Sequence, residues 1–359
     1  MTDLSHPNPN SARPGDAADR FPKDCWYVTA RSVEVGRALL KRTIACENLV
    51  LYRTEAGKAV AMIDMCPHRF APLSLGTLVG DSVECGYHGI TFDCEGRCVR
   101  VPGEEKIPDH FRTKVYPLVE KWSFIWVWLG DPARADEALL PQDFRFQDDP
   151  EWCPMDDYIH VKANYRLVID NLLDLSHEAF LHMGTIGNAA VADTPAVTTI
   201  KGDNIEVKRF MENCAPPKLF VRAGGFTTNI DRHQRIQFVP SSFVIIEVWA
   251  TPTGKEEKGV IWWVLNALTP ETERSTHYFW GLPRKFKLDD TELTDILRAG
   301  VTRTFREDCD MLEGQQRNID RVPLEQRTIY TRSDQAPTRA RSIIADMVER
   351  EAAAAGVRP

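Results

Sequence analysis

The sequence predicts an α+β protein with two domains, a small all-β domain followed by a larger domain that combines an antiparallel sheet with a long helix. Three observations support this prediction. The chain has 359 residues, more than a single hydrophobic core usually organises, so two domains are expected. Short alternating apolar and polar runs, punctuated by Gly, Pro and Asp, fill the first third of the chain. Longer alternating segments and helical patterns fill the remainder.

The first domain is predicted over residues 21–135. A preceding tail, residues 1–20, mixes Pro, Asn, Ser, Gly and Asp and lacks the apolar segment of a signal peptide, so it is expected to be disordered. The domain boundary is placed within residues 132–154, which are rich in Pro, Asp and Ala. Strands are predicted over three alternating runs, 48–53, 59–64 and 124–129.

The second domain is predicted over residues 136–359. Alternating segments that favour an antiparallel sheet occupy 198–210, 234–251, 259–269 and 276–282. Helices are predicted over 167–182, 290–318 and 338–355. The sequence contains neither a Walker-type phosphate loop nor a Gly-x-Gly-x-x-Gly motif after a strand, so we expect no nicotinamide or ATP site in this chain.

The composition argues against several classes of function. A net charge of −8 disfavours nucleic acid as a partner, because phosphate binding needs a clustered basic surface. No apolar run reaches the roughly 18–20 residues of a membrane-spanning helix, so we expect no membrane association and a cytoplasmic location. The nine cysteines are an odd number in a chain without a secretion signal, which argues against a disulfide framework.

Two Cys–His pairs form the first candidate site, Cys66 with His68 (Cys-x-His) and Cys85 with His88 (Cys-x₂-His). Two thiolates can bind one iron of a [2Fe–2S] cluster while two imidazoles bind the other, which raises the reduction potential of the cluster. A Cys₂His₂ zinc site uses the same ligand types, but zinc fingers space their cysteines and histidines differently. Chance alignment of two core cysteines and two surface histidines is the third interpretation.

The second candidate site is a pair of histidines, His177 and His182, near the end of a predicted helix. Two histidines and a carboxylate form the facial triad of non-haem Fe(II) oxygenases. The two histidines lie about 140° apart on an ideal helix, so a π-bulge or a frayed helix end is needed to bring them together. Asp174 is predicted to hydrogen-bond the outer nitrogen of His177, and Asn171 either faces the iron pocket or caps and packs the helix.

The two motifs and the segment Glu-Asp-x₆-Gln-Gln at 307–316 resemble the Rieske non-haem iron oxygenases of the vanillate O-demethylase type, whose relatives include dicamba O-demethylase and toluenesulfonate methyl-monooxygenase. The resemblance extends over nearly the whole chain. It implies that Asp308 is the third ligand of the mononuclear iron. The neighbouring Glu307 and Asp310 are expected to be solvated helix acids.

This resemblance implies a Rieske [2Fe–2S] domain followed by a helix-grip catalytic domain, assembled as a homotrimer. It also implies that the cluster of one subunit lies beside the iron of the next, with Asp174 bridging His177 to His88 across the interface. A separate NADH-dependent reductase, of the flavin or ferredoxin type, would supply electrons. The expected reaction uses O₂ to demethylate a methoxylated aromatic acid such as vanillate, which yields a phenol and formaldehyde.

Two alternative functions stay open at this point. Hydroxylation of an aryl methyl group or of the ring would use the same metals, whereas a pure electron-transfer Rieske protein would not need the second iron. Asn266 and Trp262 are candidate substrate-contacting residues, as are three residues of the 234–251 region and its flank, namely Arg232, His233 and Arg235. Strand aromatics are more often core residues, and charged residues in alternation more often face solvent. His277 is expected to be a packed histidine.

Overall fold

The computed structural model describes residues 5–6, 21–255, 259–323 and 328–354. The chain divides into two compact units, and the first consists of Pro22–Leu140 together with Thr269–Thr272. The other described residues belong to the second unit. Apart from a two-residue strand, the tail predicted to be disordered lies outside the described residues.

The first unit is built from short antiparallel strands joined by turns and a few 3₁₀ turns. Counting the N-terminal Ser5–His6 as β1, its strands are β2 (Trp26–Arg31), β3 (Leu40–Ile44), β4 (Glu47–Arg53), β5 (Ala59–Ile63), β6 (Thr77–Val79), β7 (Ser82–Glu84), β8 (Thr91–Phe92), β9 (Cys98–Arg100), β10 (Leu118–Lys121) and β11 (Phe124–Trp128). They form three sheets, in the orders β10-β11-β2, β3-β4-β5 and β6-β7-β8-β9. The last two enclose a core that includes Tyr52, Phe92 and the two motif cysteines, Cys66 and Cys85.

Residues 269–272 join the first unit although they follow it by more than a hundred positions in sequence. The hydroxyl of Thr269 donates to the carbonyl of Val28 at 2.7 Å. The main-chain N–H groups of Ala45 and Cys46 donate to the carbonyls of Pro270 and Glu271 at 2.7 and 2.9 Å. These main-chain contacts join distant parts of the chain, which no local pattern in the sequence could reveal.

The second unit contains a seven-stranded antiparallel sheet with the order β12-β18-β17-β16-β15-β14-β13. Its strands are β12 (Asp156–Val161), β13 (Val197–Lys201), β14 (Asn204–Cys214), β15 (Ile230–Val239), β16 (Phe243–Pro252), β17 (Val260–Thr272) and β18 (Ser275–Gly281), and a short strand β19 (Thr328–Ile329) pairs with β1. The helices are α1 (Tyr165–Leu173), α2 (Glu178–Leu181), α3 (Ala189–Asp193), α4 (Lys218–Gly224), α5 (Thr291–Ile319) and α6 (Gln335–Ala354). The predicted α+β class is confirmed.

The single helix predicted over 167–182 is wrong. Helix α1 ends at Leu173, a 3₁₀ turn covers Leu175–His177, and α2 follows directly. The break lies at Asp174, which has φ −120° and ψ 87° and whose carboxylate accepts from the N–H of Ser176 at 3.0 Å. An aspartate that bonds the main chain in this way starts a new helical turn instead of continuing the old one.

The long helix predicted over 290–318 is confirmed as α5, which runs from Thr291 to Ile319. Asp290 caps it, since its carboxylate accepts from the N–H of Leu293 at 2.9 Å. Helix α6 begins at Gln335, slightly earlier than predicted. None of the helices in the described ranges combines the length and the apolar character that a membrane crossing requires.

Candidate metal centres and active site

The two Cys–His loops of the first unit, one around Cys66 and one around Cys85, have the same hydrogen-bond pattern. The N–H of Cys66 donates to the carbonyl of Ala71 at 2.8 Å, and the N–H of Cys85 donates to that of Ile90 at 2.8 Å. The fourth residue after each cysteine has a positive φ, 58° for Phe70 and 68° for Gly89. A left-handed conformation is easy for glycine and strained for phenylalanine, so the first loop carries main-chain strain at Phe70 that the second loop avoids at Gly89.

The two loops present buried sulfur atoms and exposed imidazoles. Cys66 and Cys85 are 1% and 2% exposed, whereas His68 and His88 are exposed and their ring centroids lie 4.7 Å apart. Burial, with a contribution from the neighbouring Cys85, raises the pKa of the Cys66 thiol to about 11. Two inner thiols and two outer imidazoles fit a [2Fe–2S] cluster with one iron on each side.

A close approach of the main chain shapes the second loop. A Cβ atom at Gly86 would lie 2.7 Å from the carbonyl oxygen of Leu75. Gly76 is restricted in the same way, because a Cβ there would lie 2.1 Å from the carbonyl oxygen of Glu84. Only glycine permits this packing without a shift of the main chain.

The second centre brings together the two histidines and the aspartate that the sequence singled out. His177 ends the 3₁₀ turn, His182 follows α2, and Asp308 lies in the middle of α5. One ligand atom from each lies within 4.8 Å of the other two. The Oδ1 atom of Asp308 is 3.3 Å from His177 Nε2 and 3.1 Å from His182 Nε2. Of the two alternatives predicted to bring the histidines together, a π-bulge or a frayed helix end, the π-bulge does not occur in this stretch. The helix breaks at Asp174 instead, and both imidazoles approach the same carboxylate oxygen.

Main-chain and side-chain acceptors fix the outer nitrogen of each imidazole. The Nδ1 atom of His177 lies 2.8 Å from the main-chain oxygen of Asp174, so the carboxylate of Asp174 does not make the predicted contact within this chain. The Nδ1 atom of His182 lies 2.9 Å from Oε2 of Glu307, which contradicts the prediction that Glu307 is a solvated helix acid. Protons on both Nδ1 atoms would leave both Nε2 atoms free to bind a metal.

Asn171 and Asp308 are linked directly. The side-chain amide of Asn171 donates to Oδ1 of Asp308 at 3.1 Å, so Asn171 faces the metal centre, as one of its two interpretations predicted. The hydrogen bonds and charges of the two histidines outweigh burial and hold the pKa of Asp308 below its usual range. Burial lowers the pKa of His177 and His182, but the hydrogen bonds and the negative charge of Asp308 outweigh this effect and raise both pKa values.

A cavity adjoins this centre between the sheet, α4 and α5. Its wall is mainly apolar, with seven polar side chains. The centre of a water-sized sphere can occupy about 80 Å³ of this cavity. By the same measure, a cavity for one water needs roughly 10–15 Å³. The space therefore holds several waters or one substituted benzene ring. The lining includes the three candidate ligands and Glu178, Phe220, Arg232, Gln234, Trp262, Val264, Thr304 and Phe305.

The two predicted substrate-contacting residues have different surroundings. Trp262 lines the cavity. Asn266 does not, because its amide donates to the carbonyl of Val244 at 2.7 Å and accepts from the hydroxyl of Tyr278 at 2.7 Å. Asn266 is therefore a structural residue of the sheet, which corrects its prediction as a substrate contact.

Strand alternation separates the charged residues of β15. Arg232 and Gln234 are each 1% exposed and line the cavity, whereas His233 and Arg235 belong to the opposite face. His233 stacks on Trp249 with ring centroids 5.2 Å apart. Neither Gln234 nor Glu178 was predicted as a site residue from the sequence, and only the alternation along the strand could have indicated Gln234. The buried His277, whose Nδ1 lies 2.8 Å from the Tyr158 hydroxyl, is packed as expected.

Comparisons with known proteins agree with these two centres. Residues 25–117 match the Rieske [2Fe–2S] domain and residues 161–350 match the vanillate O-demethylase oxygenase C-terminal domain. The vanillate O-demethylase oxygenase subunit of Pseudomonas sp. (strain HR199 / DSM 7063) is 38% identical over 348 residues, which cover 93% of this chain and 97% of that one. The oxygenase component of dicamba O-demethylase from Stenotrophomonas maltophilia is 35% identical, with coverage of 83% and 88%.

Solved structures show the same fold. A crystal structure of dicamba monooxygenase bound to dicamba has a TM-score of 0.86 at 32% identity and covers 93% of this chain and 99% of that one. The structure of dicamba monooxygenase bound to 3,6-dichlorosalicylic acid has a TM-score of 0.88 at 33% identity, with the same coverage.

Proposed function

The chain belongs to the Rieske non-haem iron oxygenases of the vanillate O-demethylase type, and from this premise we propose that it demethylates a methoxylated aromatic acid. As a member of this family it is the terminal oxygenase of a multi-component monooxygenase, with a [2Fe–2S] cluster, Fe(II) and a separate reductase. The family membership excludes the zinc interpretation and the pure electron carrier. The convergence of His177, His182 and Asp308 on an aromatic-sized cavity is the observation that carries the proposal.

The proposed ligand sets follow the geometry of the two centres. Cys66 and Cys85 would hold one iron of the cluster, and His68 and His88 would hold the other. His177, His182 and Asp308 would hold the mononuclear iron as a two-histidine, one-carboxylate ligand set. When bound, the cluster supplies single electrons and the mononuclear iron supplies the activation of O₂.

The residues around the mononuclear site position its ligands and the substrate. Asn171 holds Asp308, and Glu307 and the carbonyl of Asp174 hold the two imidazoles. The apolar wall excludes water from the reacting methyl group and packs against the aromatic ring. One methoxyarene, one O₂, one NADH and one proton give one phenol, one formaldehyde, one NAD⁺ and one water.

Electron delivery is proposed to occur between subunits of a homotrimer. The cluster loops expose large apolar side chains, Phe70 at 71% and Tyr87 at 61%, and exposed apolar surface of this kind favours a protein contact. Near the mononuclear centre Phe180 is 78% exposed. Within its own chain the Asp174 carboxylate accepts from Ser176, which leaves acceptor capacity for His88 of the neighbouring subunit. The electron donor is proposed to be a flavin- or ferredoxin-type NADH reductase, which implies a cytoplasmic location.

The test is the ratio of formaldehyde released to O₂ consumed. Oxygenase with verified iron and sulfide content is mixed with NADH, a class-matched reductase and a panel of methoxybenzoates and methylbenzoates. A ratio near one with a methoxybenzoate supports demethylation. Hydroxymethyl products from methylbenzoates, without formaldehyde from any methoxybenzoate, would instead assign methyl hydroxylation and refute the proposal.

A further inference from the structure

A buried ionic cluster adjoins the cavity, and three of its four side chains, Glu178, Arg232 and Gln234, line it. It consists of Glu178, Arg209, Arg232 and Gln234, which are 2%, 5%, 1% and 1% exposed. Glu178 accepts from Gln234 Nε2 at 2.6 Å and from Arg232 Nη2 at 3.0 Å. Arg209 donates to the carbonyl of Leu175 at 3.1 Å and to Gln234 Oε1 at 3.5 Å. We call these four side chains the Arg232 cluster.

The Arg232 cluster has one more positive than negative charge. Its two guanidinium groups face a single carboxylate, and Arg209 has no carboxylate within ion-pair distance among the described residues. Burial, together with the nearby charge of Arg232, lowers the pKa of Arg209 against the opposing charges of Glu178 and Asp174. An unbalanced buried charge is costly unless a ligand or a neighbour compensates it.

The cluster also has unused hydrogen-bond donors. The Nε atoms of Arg232 and Arg209 are both buried without an acceptor in the part of the chain that the structure describes. A guanidinium has five N–H groups in a planar fork that suits carboxylate and sulfonate oxygens. The fork of Arg232 lies over the ring of Phe220, with its central carbon 4.6 Å from the ring centroid, and Phe220 also lines the cavity.

We propose that Arg232 binds the anionic substituent of the aromatic substrate, a carboxylate or a sulfonate, with Gln234 and Arg209 supporting it. The inference rests on the proposed function, since it assigns a residue to the acidic group of that substrate. One bound anion would balance the charge of the Arg232 cluster and give its unused donors an acceptor. The same cavity is lined by His177 and Asp308, so anchoring the anion decides which ring substituent faces the iron.

Ligand binding without turnover tests the proposal. The iron-loaded oxidised enzyme, without reductase, is titrated by calorimetry with 4-methoxybenzoate, the neutral 4-methoxybenzamide and 4-methoxybenzenesulfonate. The wild-type protein should bind the carboxylate about 100-fold more tightly than the amide, as charged hydrogen bonds in a dry site require. Arg232→Gln should reduce this preference to a few-fold, while Arg235→Gln, on the opposite face of the same strand, should keep it.

Two outcomes would overturn the proposal. Equal affinity of the wild-type protein for the acid and the amide would do so without any variant, which matters if Arg232→Gln fails to fold. Undiminished preference for the acid in a folded Arg232→Gln protein would do so as well. Tight sulfonate binding would support anion recognition and extend it to sulfonates. A protein that discriminates between acid and amide yet releases no formaldehyde would refute the proposed demethylation and leave the role of Arg232 intact.

Discussion

Replacing Glu307 by glutamine tests how much the hydrogen bond between Glu307 and His182 contributes to metal affinity. The carboxylate lies 2.9 Å from Nδ1 of His182, whose side chain is 1% exposed. Removing such a partner typically lowers metal affinity 10- to 100-fold. The Glu307 side chain is 25% exposed, and the amide oxygen of glutamine can still accept a hydrogen bond. The loss of metal affinity should therefore lie at the lower end of this range. We expect about a tenfold loss, equivalent to about 1.4 kcal/mol.

Competition with a chelator measures this loss directly. The dissociation constant for Fe(II) is determined under anaerobic conditions for the wild-type protein and for Glu307→Gln. Asp310→Asn is the matched control, because Asp310 lies on the same helix, is exposed, and loses the same charge. If Glu307→Gln binds iron as tightly as the wild type, or if both variants lose affinity equally, the hydrogen bond to His182 does not position the ligand.

Three further predictions concern the same centre and its support. Asp308, against the opposing effect of burial, raises the pKa of His177 and His182 above 6.5. Because iron binds only neutral imidazoles, iron occupancy should fall as the pH decreases through these raised pKa values. In protein stripped of iron by a chelator the pH dependence has the opposite sign. The protonated histidines then stabilise the folded state below the pKa of the unfolded state, and this stability is lost as the pH rises through the raised pKa of the folded state. The melting temperature measured across this pH range checks this prediction. Asp174→Asn should keep iron and sulfide content and nearly abolish coupled product formation. Gly187→Ala should destabilise the protein by about 1–3 kcal/mol in urea unfolding, because its Cβ would lie 2.0 Å from a main-chain oxygen.

Each of these predictions has its own control. Asp308→Asn should flatten the pH dependence of the melting temperature in chelated protein, and an unchanged profile would contradict the assignment of the pKa shifts to that carboxylate. Product formation at the wild-type rate in Asp174→Asn would exclude the bridging role. Gly36→Ala, where a Cβ meets nothing within 4 Å, should leave stability nearly unchanged; an equal loss in both glycine variants would contradict the clash at Gly187.

The sequence alone predicted the fold class and the histidine and cysteine candidates of both centres. Ligand spacing is a local property, so the pattern of Cys66, His68, Cys85 and His88 can be recognised without coordinates. Helix α5 was equally clear, because an amphipathic pattern of that length with a capping aspartate has few alternatives. Asp308 was selected by resemblance, since one acidic residue on a charged helix does not differ locally from its neighbours.

Only the tertiary structure decided which groups surround those ligands. The sequence assigned the outer nitrogen of His177 to the carboxylate of Asp174, whereas capping of the next turn directs that carboxylate to Ser176 and leaves the carbonyl for the ring. Glu307 reaches His182 across 125 residues of sequence, and Arg232 meets Glu178 across 54. Local periodicity specifies the face of a strand or helix on which a residue lies. The partner on that face depends on the packing of elements distant in the chain. Long-range packing therefore decided which groups hold the three candidate ligands and which charged residues line the cavity.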